Sequence, residues 1–163
     1  LKAVLNRYSS NHKHSLLHMK SPLRHKNLPH LLLQSREALM SRFRPVLNQY
    51  GVTEQQWRIL RVLLDEDGLE PRQLCERCLI SSPSIAGVLM RMEEAGWIKR
   101  ERMEHDQRRV TVTVTAATKK LGRRMAPLIE REYLEIEKLV GVKQLQQVYD
   151  ALDTLQKNLG TSE

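Results

Sequence analysis

Apolar residues recur at spacings of three and four through most of this chain and alternate strictly in only one region. From Leu28 to Tyr50, Leu32, Leu39, Phe43, Val46 and Tyr50 fall on one helical face. Pro29 suits the first turn and Gly51 the end, whereas Pro45 removes a backbone donor inside the helix and predicts a kink. Thr53-Glu54-Gln55-Gln56 reads as a capping box, and a helix follows through Leu64 with Trp57, Leu60 and Leu64 on one face. Pro71 opens a short helix to Cys78 that buries Leu74. Ser82 as cap and Pro83 at the first helical position start the next, with Ile85, Val88, Leu89 and Met92 inward and Gly96 at its close.

The period then changes. Trp97 to Met103 and Val110 to Thr115 alternate with period two and form a hairpin whose polar tip is HDQRR. Helix returns at Ala116. Leu121, Met125, Leu128, Ile129, Ile136, Leu139 and Val140 make one stripe, interrupted by Pro127. Leu145, Val148, Tyr149, Leu152, Leu155 and Leu159 make a second after Gly141. The fold class is therefore mainly α with a small β-hairpin. Two short helices joined by a tight turn and followed by a hairpin read as a winged helix-turn-helix over residues 54–115, flanked by long helices at 28–50 and 116–159. These flanking helices carry more apolar face than a small winged domain can cover. That excess agrees with the homodimer implied by the family resemblance given below, for which Leu32, Leu145, Val148, Leu152 and Leu155 are the interface candidates. Leu145, Leu152 and Leu155 are core in either case, and spacing alone leaves contacts within and between subunits unseparated.

Charge changes this picture at two places. The 163 residues carry a net charge of +8, but residues 1–27 hold six Lys/Arg and no acid. The remainder has 21 basic and 19 acidic residues, so bulk basicity belongs to the arm, not to the helical body. Residues 1–27 read as a basic arm, disordered or not native. The second place is the hairpin tip, where Arg108 and Arg109 follow Asp106.

In a helix-turn-helix the second helix enters the major groove by its N-terminal end. Small polar side chains there let the backbone approach phosphates and bases, and Ser81, Ser82 and Ser84 fit. Ile85, Gly87, Val88 and Arg91 continue that helix, and Arg91 is long enough to reach a base edge or a phosphate. A wing tip beside this helix faces the minor groove, whose negative potential attracts arginine. Arg108 or Arg109 can supply it, with Asp106 fixing the direction of Arg108. Double-stranded DNA is the expected partner, and two recognition helices of a dimer would span a near-palindromic operator.

The run ISSPSIAGVLMRMEEAGWIKRERMEHDQRRVTVTVT, ending at Thr115, resembles the MarR-type transcriptional regulators. The resemblance lies in the wing motif of Asp106 and Arg108, the Ala95-Gly96 turn and the closing Val-Thr pairs, and it extends over about residues 28–159. LLLQSREALMSRFRPVLNQYGVTEQQWRILRVL, from Leu31 to Leu63, is similar to one branch, the repressors of homoprotocatechuate and 4-hydroxyphenylacetate degradation genes. Ser82 and Ala86 depart from the family pattern and leave the operator sequence open. The resemblance implies a two-fold dimer and a repressor released by a small aromatic carboxylate. It also implies an effector pocket between the dimerisation and DNA-binding parts. A ligand of that kind wants a cation and apolar walls. Arg36, Trp57 and Arg61 are the candidates, with Arg42 and Arg58 also considered.

Other chemistry is weaker. Cys75 and Cys78 form a CxxC without further ligands nearby and without a βαβ context, so two small apolar side chains are the first reading and a redox-sensing regulator the alternative. A winged-helix protein-interaction module is the other alternative, and Arg108 and Arg109 count against it. His12, His14 and His18 read as solvent-exposed arm residues. No phosphate loop, nucleophile elbow or paired carboxylates appear, so neither enzymatic activity nor a cofactor or metal is expected. No apolar run is long enough to span a bilayer and no signal segment is apparent, which leads to an expectation of a cytoplasmic protein.

Overall fold

The computed structural model describes residues 25–103 and 106–160, and the side chains of residues 103–108 lie outside the described part. The chain divides between Glu37 and Ala38 into two compact units. Six helices and one hairpin occupy the described residues. They are α1 (Leu28–Gln49), α2 (Glu54–Asp65), α3 (Pro71–Cys78), α4 (Ser82–Glu94), β1 (Ile98–Met103), β2 (Asp106–Val114), α5 (Ala116–Val140) and α6 (Val142–Asn158). In the first unit the opening turns of α1 leave Leu28, Leu31, Leu32 and Leu33 exposed.

Local chemistry explains most boundaries in the second unit. Helix α1 continues through Pro45 to Gln49. It ends where Gly51, at φ +65°, turns the chain so that Val52 N donates to Leu47 O at 2.9 Å. Thr53 then caps α2 reciprocally with Gln56: Gln56 N donates to Thr53 Oγ1 and Thr53 N to Gln56 Oε1. The inner face of α2 is Ile59, Leu60 and Leu63, while Trp57 and Leu64 are only half-buried. The expected face of Trp57, Leu60 and Leu64 is thus rotated. Six of twelve residues in this helix are apolar, so periodicity alone does not single out which of them meet the core.

Helix α3 buries Leu74 completely. It ends on Leu79, which takes a left-handed conformation (φ 50°, ψ 49°) where glycine is usual. Ile80 N closes back on Cys75 O at 3.1 Å, and Arg58 Nη1 donates to Cys78 O at 2.8 Å and to Leu79 O at 3.4 Å. The helix-turn-helix corner is therefore clamped from α2. Ser81, in extended conformation, is the residue before α4, so Ser82 is already helical and the cap lies one residue earlier than expected. Pro83, at the second helical position, removes no bond there, because the first intrahelical bonds run from Ser84 N and Ile85 N to Ser81 O, both at 2.9 Å.

The hairpin pairs Ile98 with Val114 and Arg102 with Val110, and the register shifts between Arg102 and Met103. Strand β2 begins at Asp106, four residues earlier than its alternation indicated. Val112 and Val114 point inward, and Val112 N also donates to Leu69 O at 2.8 Å. That single bridge at Leu69 gives the hairpin a third, one-residue neighbour. Asp67 fastens the same edge: Oδ1 accepts from Gly68 N and Val114 N, and Oδ2 pairs with Lys119 Nζ at 3.1 Å. The start of α5 grips the other end of the hairpin. Thr118 Oγ1 donates to Trp97 O at 2.6 Å and Thr115 Oγ1 to Gly96 O at 2.9 Å.

Helix α5 runs through Pro127 and places Leu121, Met125, Ile129 and Ile136 in the core. Helix α6 buries no residue within one chain. Leu145, Leu152 and Leu155 are half-buried, and Val148 and Tyr149 are exposed. The expectation that those leucines are core in either arrangement is corrected for the single chain, which offers them too few neighbours.

Candidate DNA-reading surface and ligand pocket

Helix α4 is amphipathic in the way a groove-reading helix requires. One face, Ile85, Val88, Leu89 and Met92, is fully packed against the core. The other presents Ser82, Pro83, Ser84, Ala86, Met90 and Arg91 to solvent. Ile85 and Val88 were expected to contact DNA, and the structure corrects both. Each is 2 % exposed, so neither side chain has surface to offer a base.

Ser81, Ser82 and Ser84 cluster at the helix N-terminus. Ser81 Oγ donates to Ser84 Oγ at 2.9 Å, and Ser82 Oγ accepts from Cys75 Sγ at 3.7 Å. The helix dipole and the exposed serine hydroxyls make this end attractive to a phosphate. One turn on, the Arg91 guanidinium lies over Gly87, where a Cβ would meet Nη1 at 3.5 Å.

The wing is less bare than the sequence implied. Asp106, Gln107 and Arg108 belong to strand β2, and the expected Asp106–Arg108 pairing lies outside the described side chains. Arg109 is exposed, but both its Nε and Nη2 donate to Glu70 Oε1, the Nε bond at 2.9 Å. Glu70 immediately precedes α3, so this pair ties the wing to the helix-turn-helix. Sequence reasoning missed Glu70 because the two residues are 39 positions apart.

A pocket of about 420 Å³ lies between α2 and α5. Trp57 and Arg61 line it, with the Arg61 guanidinium 6.0 Å from the Trp57 ring centroid. Lys119, Gly122 and Arg123 join them from α5, and Asp65 and Glu130 add negative charge at the rim. The α5 residues carried no signal in the sequence beyond lying on the outer side of an amphipathic helix. Gly122 keeps the wall thin, since a Cβ there would stand 2.8 Å from Leu64 Cδ1. Arg36 belongs to the first unit and is exposed. Arg42 pairs with Glu132 at 3.5 Å, and Arg58 is committed to the α3 carbonyls; neither is among the residues lining this pocket.

Both cysteines are free thiols. Burial pushes the Cys78 thiol up, with a smaller opposing pull from Arg58. Cys75 is half-buried against Ser82. Among the described residues no group of three or more His, Cys, Asp or Glu is placed to hold a metal. His12, His14 and His18 lie outside the described residues. No described helix is long and apolar enough to cross a membrane.

Comparison with known proteins agrees with this geometry. The MarR family model matches residues 50–109, the span from the end of α1 to the wing. The transcriptional regulator FarR of Neisseria gonorrhoeae is 37% identical over 139 residues, covering 85% of this chain and 95% of that protein. The homoprotocatechuate degradative operon repressor of Escherichia coli is 37% identical over 129 residues, covering 79% and 87%. Among solved structures, NadR in complex with 4-hydroxyphenylacetate is 37% identical and superposes with a TM-score of 0.74 over 85% of this chain and 99% of that one.

Proposed function

Because this chain belongs to the MarR family of transcriptional regulators, we propose that it is a homodimeric repressor of aromatic-compound degradation genes, released from its operator by a small aromatic carboxylate. The observation that carries this reading is helix α4, with one face wholly packed and the other wholly free beside a cationic wing. Residues 54–115 form the DNA-binding part, and 28–50 and 116–159 the dimerisation helices. Ser81, Ser82, Ser84, Gly87 and Arg91 approach the major groove, and Arg109, with Arg108 and Asp106, the minor groove. The two-fold axis implies a near-palindromic operator. A DNA target places the protein in the cytoplasm, and its activity is binding, not catalysis.

The effector enters the pocket at Trp57 and Arg61, where an aromatic ring stacks on the indole and a carboxylate meets the guanidinium. Support comes from the NadR complex, whose ligand is an acid of this type. Release requires that the acid bind the DNA-incompetent dimer more tightly than the DNA-bound one.

The test is a titration of the protein against DNA upstream of its own gene, with and without homoprotocatechuate and 4-hydroxyphenylacetate. Salt-dependent binding weakened by either acid is the expected result, and Arg61→Gln should keep the binding but lose the release. Binding indifferent to both acids would remove the catabolic assignment. Absence of binding at every salt concentration would remove the DNA reading itself.

A further inference from the structure

A second groove, of about 440 Å³, lies on another side of α5 from the Trp57 pocket. The end of α1, the turn from α4 into β1 and the first turns of α5 form its walls. Tyr50 and Trp97 supply aromatic surface, and Leu121 gives an apolar floor. The Arg124 guanidinium stands 5.7 Å from the Tyr50 ring centroid.

Charge separates this groove from the first. The Trp57 pocket mixes Arg61, Lys119 and Arg123 with Asp65 and Glu130. The second groove has Arg124 as its single charged lining residue, with no carboxylate. The backbone carbonyls of Gly96 and Trp97 are already engaged. Trp97 O takes bonds from Thr118 Oγ1 and Thr115 N, and Gly96 O takes one from Thr115 Oγ1. Each side chain left to meet a guest can donate: the Arg124 guanidinium and the indole N–H of Trp97 only donate, and the amide of Gln49 and the hydroxyl of Tyr50 can donate as well as accept. A volume of this size suits a small molecule, and apolar walls with a few convergent polar groups are what such sites need.

We propose that this groove is a second ligand site, which takes a small planar carboxylate between Tyr50 and Trp97 with its anion on Arg124. The site needs neither DNA nor the first pocket to bind. Its walls nevertheless include Gly96 and Trp97, which join the recognition helix to the wing, and α5, which leads to the dimerisation helices. Occupancy therefore bears on the same junction that DNA binding loads.

The chain contains two tryptophans, one in each site, so each site has its own fluorescent reporter. Trp57→Phe leaves Trp97 alone, and this protein would be titrated with sodium benzoate. The expected result is a saturable change in Trp97 emission, with the affinity reduced about tenfold or more by adding Arg124→Gln, as loss of a charge-assisted contact requires. Emission that never saturates, or an affinity within about twofold in the Arg124→Gln protein, would overturn the proposal. Benzyl alcohol, the neutral analogue, provides a check that needs no second substitution: it should fail to bind, and binding equal to that of benzoate would also overturn the site. Trp97→Phe, titrated with 4-hydroxyphenylacetate with and without Arg61→Gln, reports on the first pocket alone. A failure there with the Trp97 signal intact would remove the proposed effector pocket and leave this one standing.

Discussion

Leu79 holds a left-handed backbone that costs an L-residue about 1–2 kcal/mol, and it does so at the corner of the helix-turn-helix. Arg58 supplies what keeps the corner there, by donating to both carbonyls that end α3. A hydrogen bond from a charged donor contributes about 1.5–3 kcal/mol, so Arg58→Ala should lower stability in urea unfolding by about 2 kcal/mol or more. Leu79→Gly should stabilise by about 0.5–1 kcal/mol, because relief of the left-handed strain outweighs the greater freedom of glycine in the unfolded chain, about 0.5–1 kcal/mol, and the exposed Leu79 side chain gives up no burial. An Arg58→Ala protein as stable as the parent would show that the clamp is ornamental. At the wing, Arg109 is exposed while its Nε and Nη2 donate to Glu70, which holds a cation at the surface of the hairpin. Arg109→Ala should weaken binding to all DNA sequences alike and reduce the salt slope by about 1. A loss confined to one operator base pair would instead mean base reading. Neither Glu70 nor Arg58 was legible in the sequence, since each acts on a residue 20 or more positions away and a charged side chain announces no partner.

At the scale of elements, legibility followed the strength of the local rule. The Thr53 capping box and the Gly51 and Gly96 helix ends were readable because each is set by a few adjacent residues. The inner face of α4 was readable because its apolar positions form one narrow stripe. The face of α2 was not, because a broad stripe lets Trp57 or Ile59 point inward, and only the position of α5 decides. The Leu69 bridge was invisible since one residue has no period. Exposed pairs at element ends also set a pH response. Hydrogen bonding from Arg100 holds the Glu93 carboxyl below its ordinary value, and Arg77 and Lys138 do the same for Glu66 and Glu135. A carboxyl lowered in the folded state stabilises the fold above its unfolded value, near 4.5, and that contribution is lost as pH falls through the folded value. Stability should therefore decline on acidification below about 4.5, less steeply in Glu93→Gln and less in high salt, which screens exposed pairs. An acid slope identical in parent and Glu93→Gln would exclude Glu93 from it. Gly122 belongs to this scale too: Gly122→Ala gains about 0.8–1 kcal/mol of helix propensity while pressing on the mobile end of Leu64, so thermal stability should change little.

For the whole molecule, α6 is the outstanding feature, since a seventeen-residue amphipathic helix that buries nothing has not found its partner within one chain. Val142, Val148, Tyr149 and Leu159 remain exposed along it. In the proposed dimer these faces meet their counterparts, and Val148→Asp with Leu152→Asp should give a monomer by light scattering that no longer holds operator DNA. A dimer unaffected by both changes would place the interface elsewhere. The sequence showed that apolar surface was in excess but not whose surface covers it, because helical spacing is the same within a chain and between chains.

The grip of Thr115 and Thr118 on Gly96 and Trp97 has one further consequence. Helix α5 spans 25 residues, about 37 Å at 1.5 Å per residue, and is fastened to the wing at its first turn. A tilt of about 5° at the far end of such a rod displaces the gripped end by about 3 Å, and one base-pair step along B-DNA is about 3.4 Å. In a two-fold assembly, an angular change too small to alter any contact in the core would put the two recognition helices a full base pair out of step.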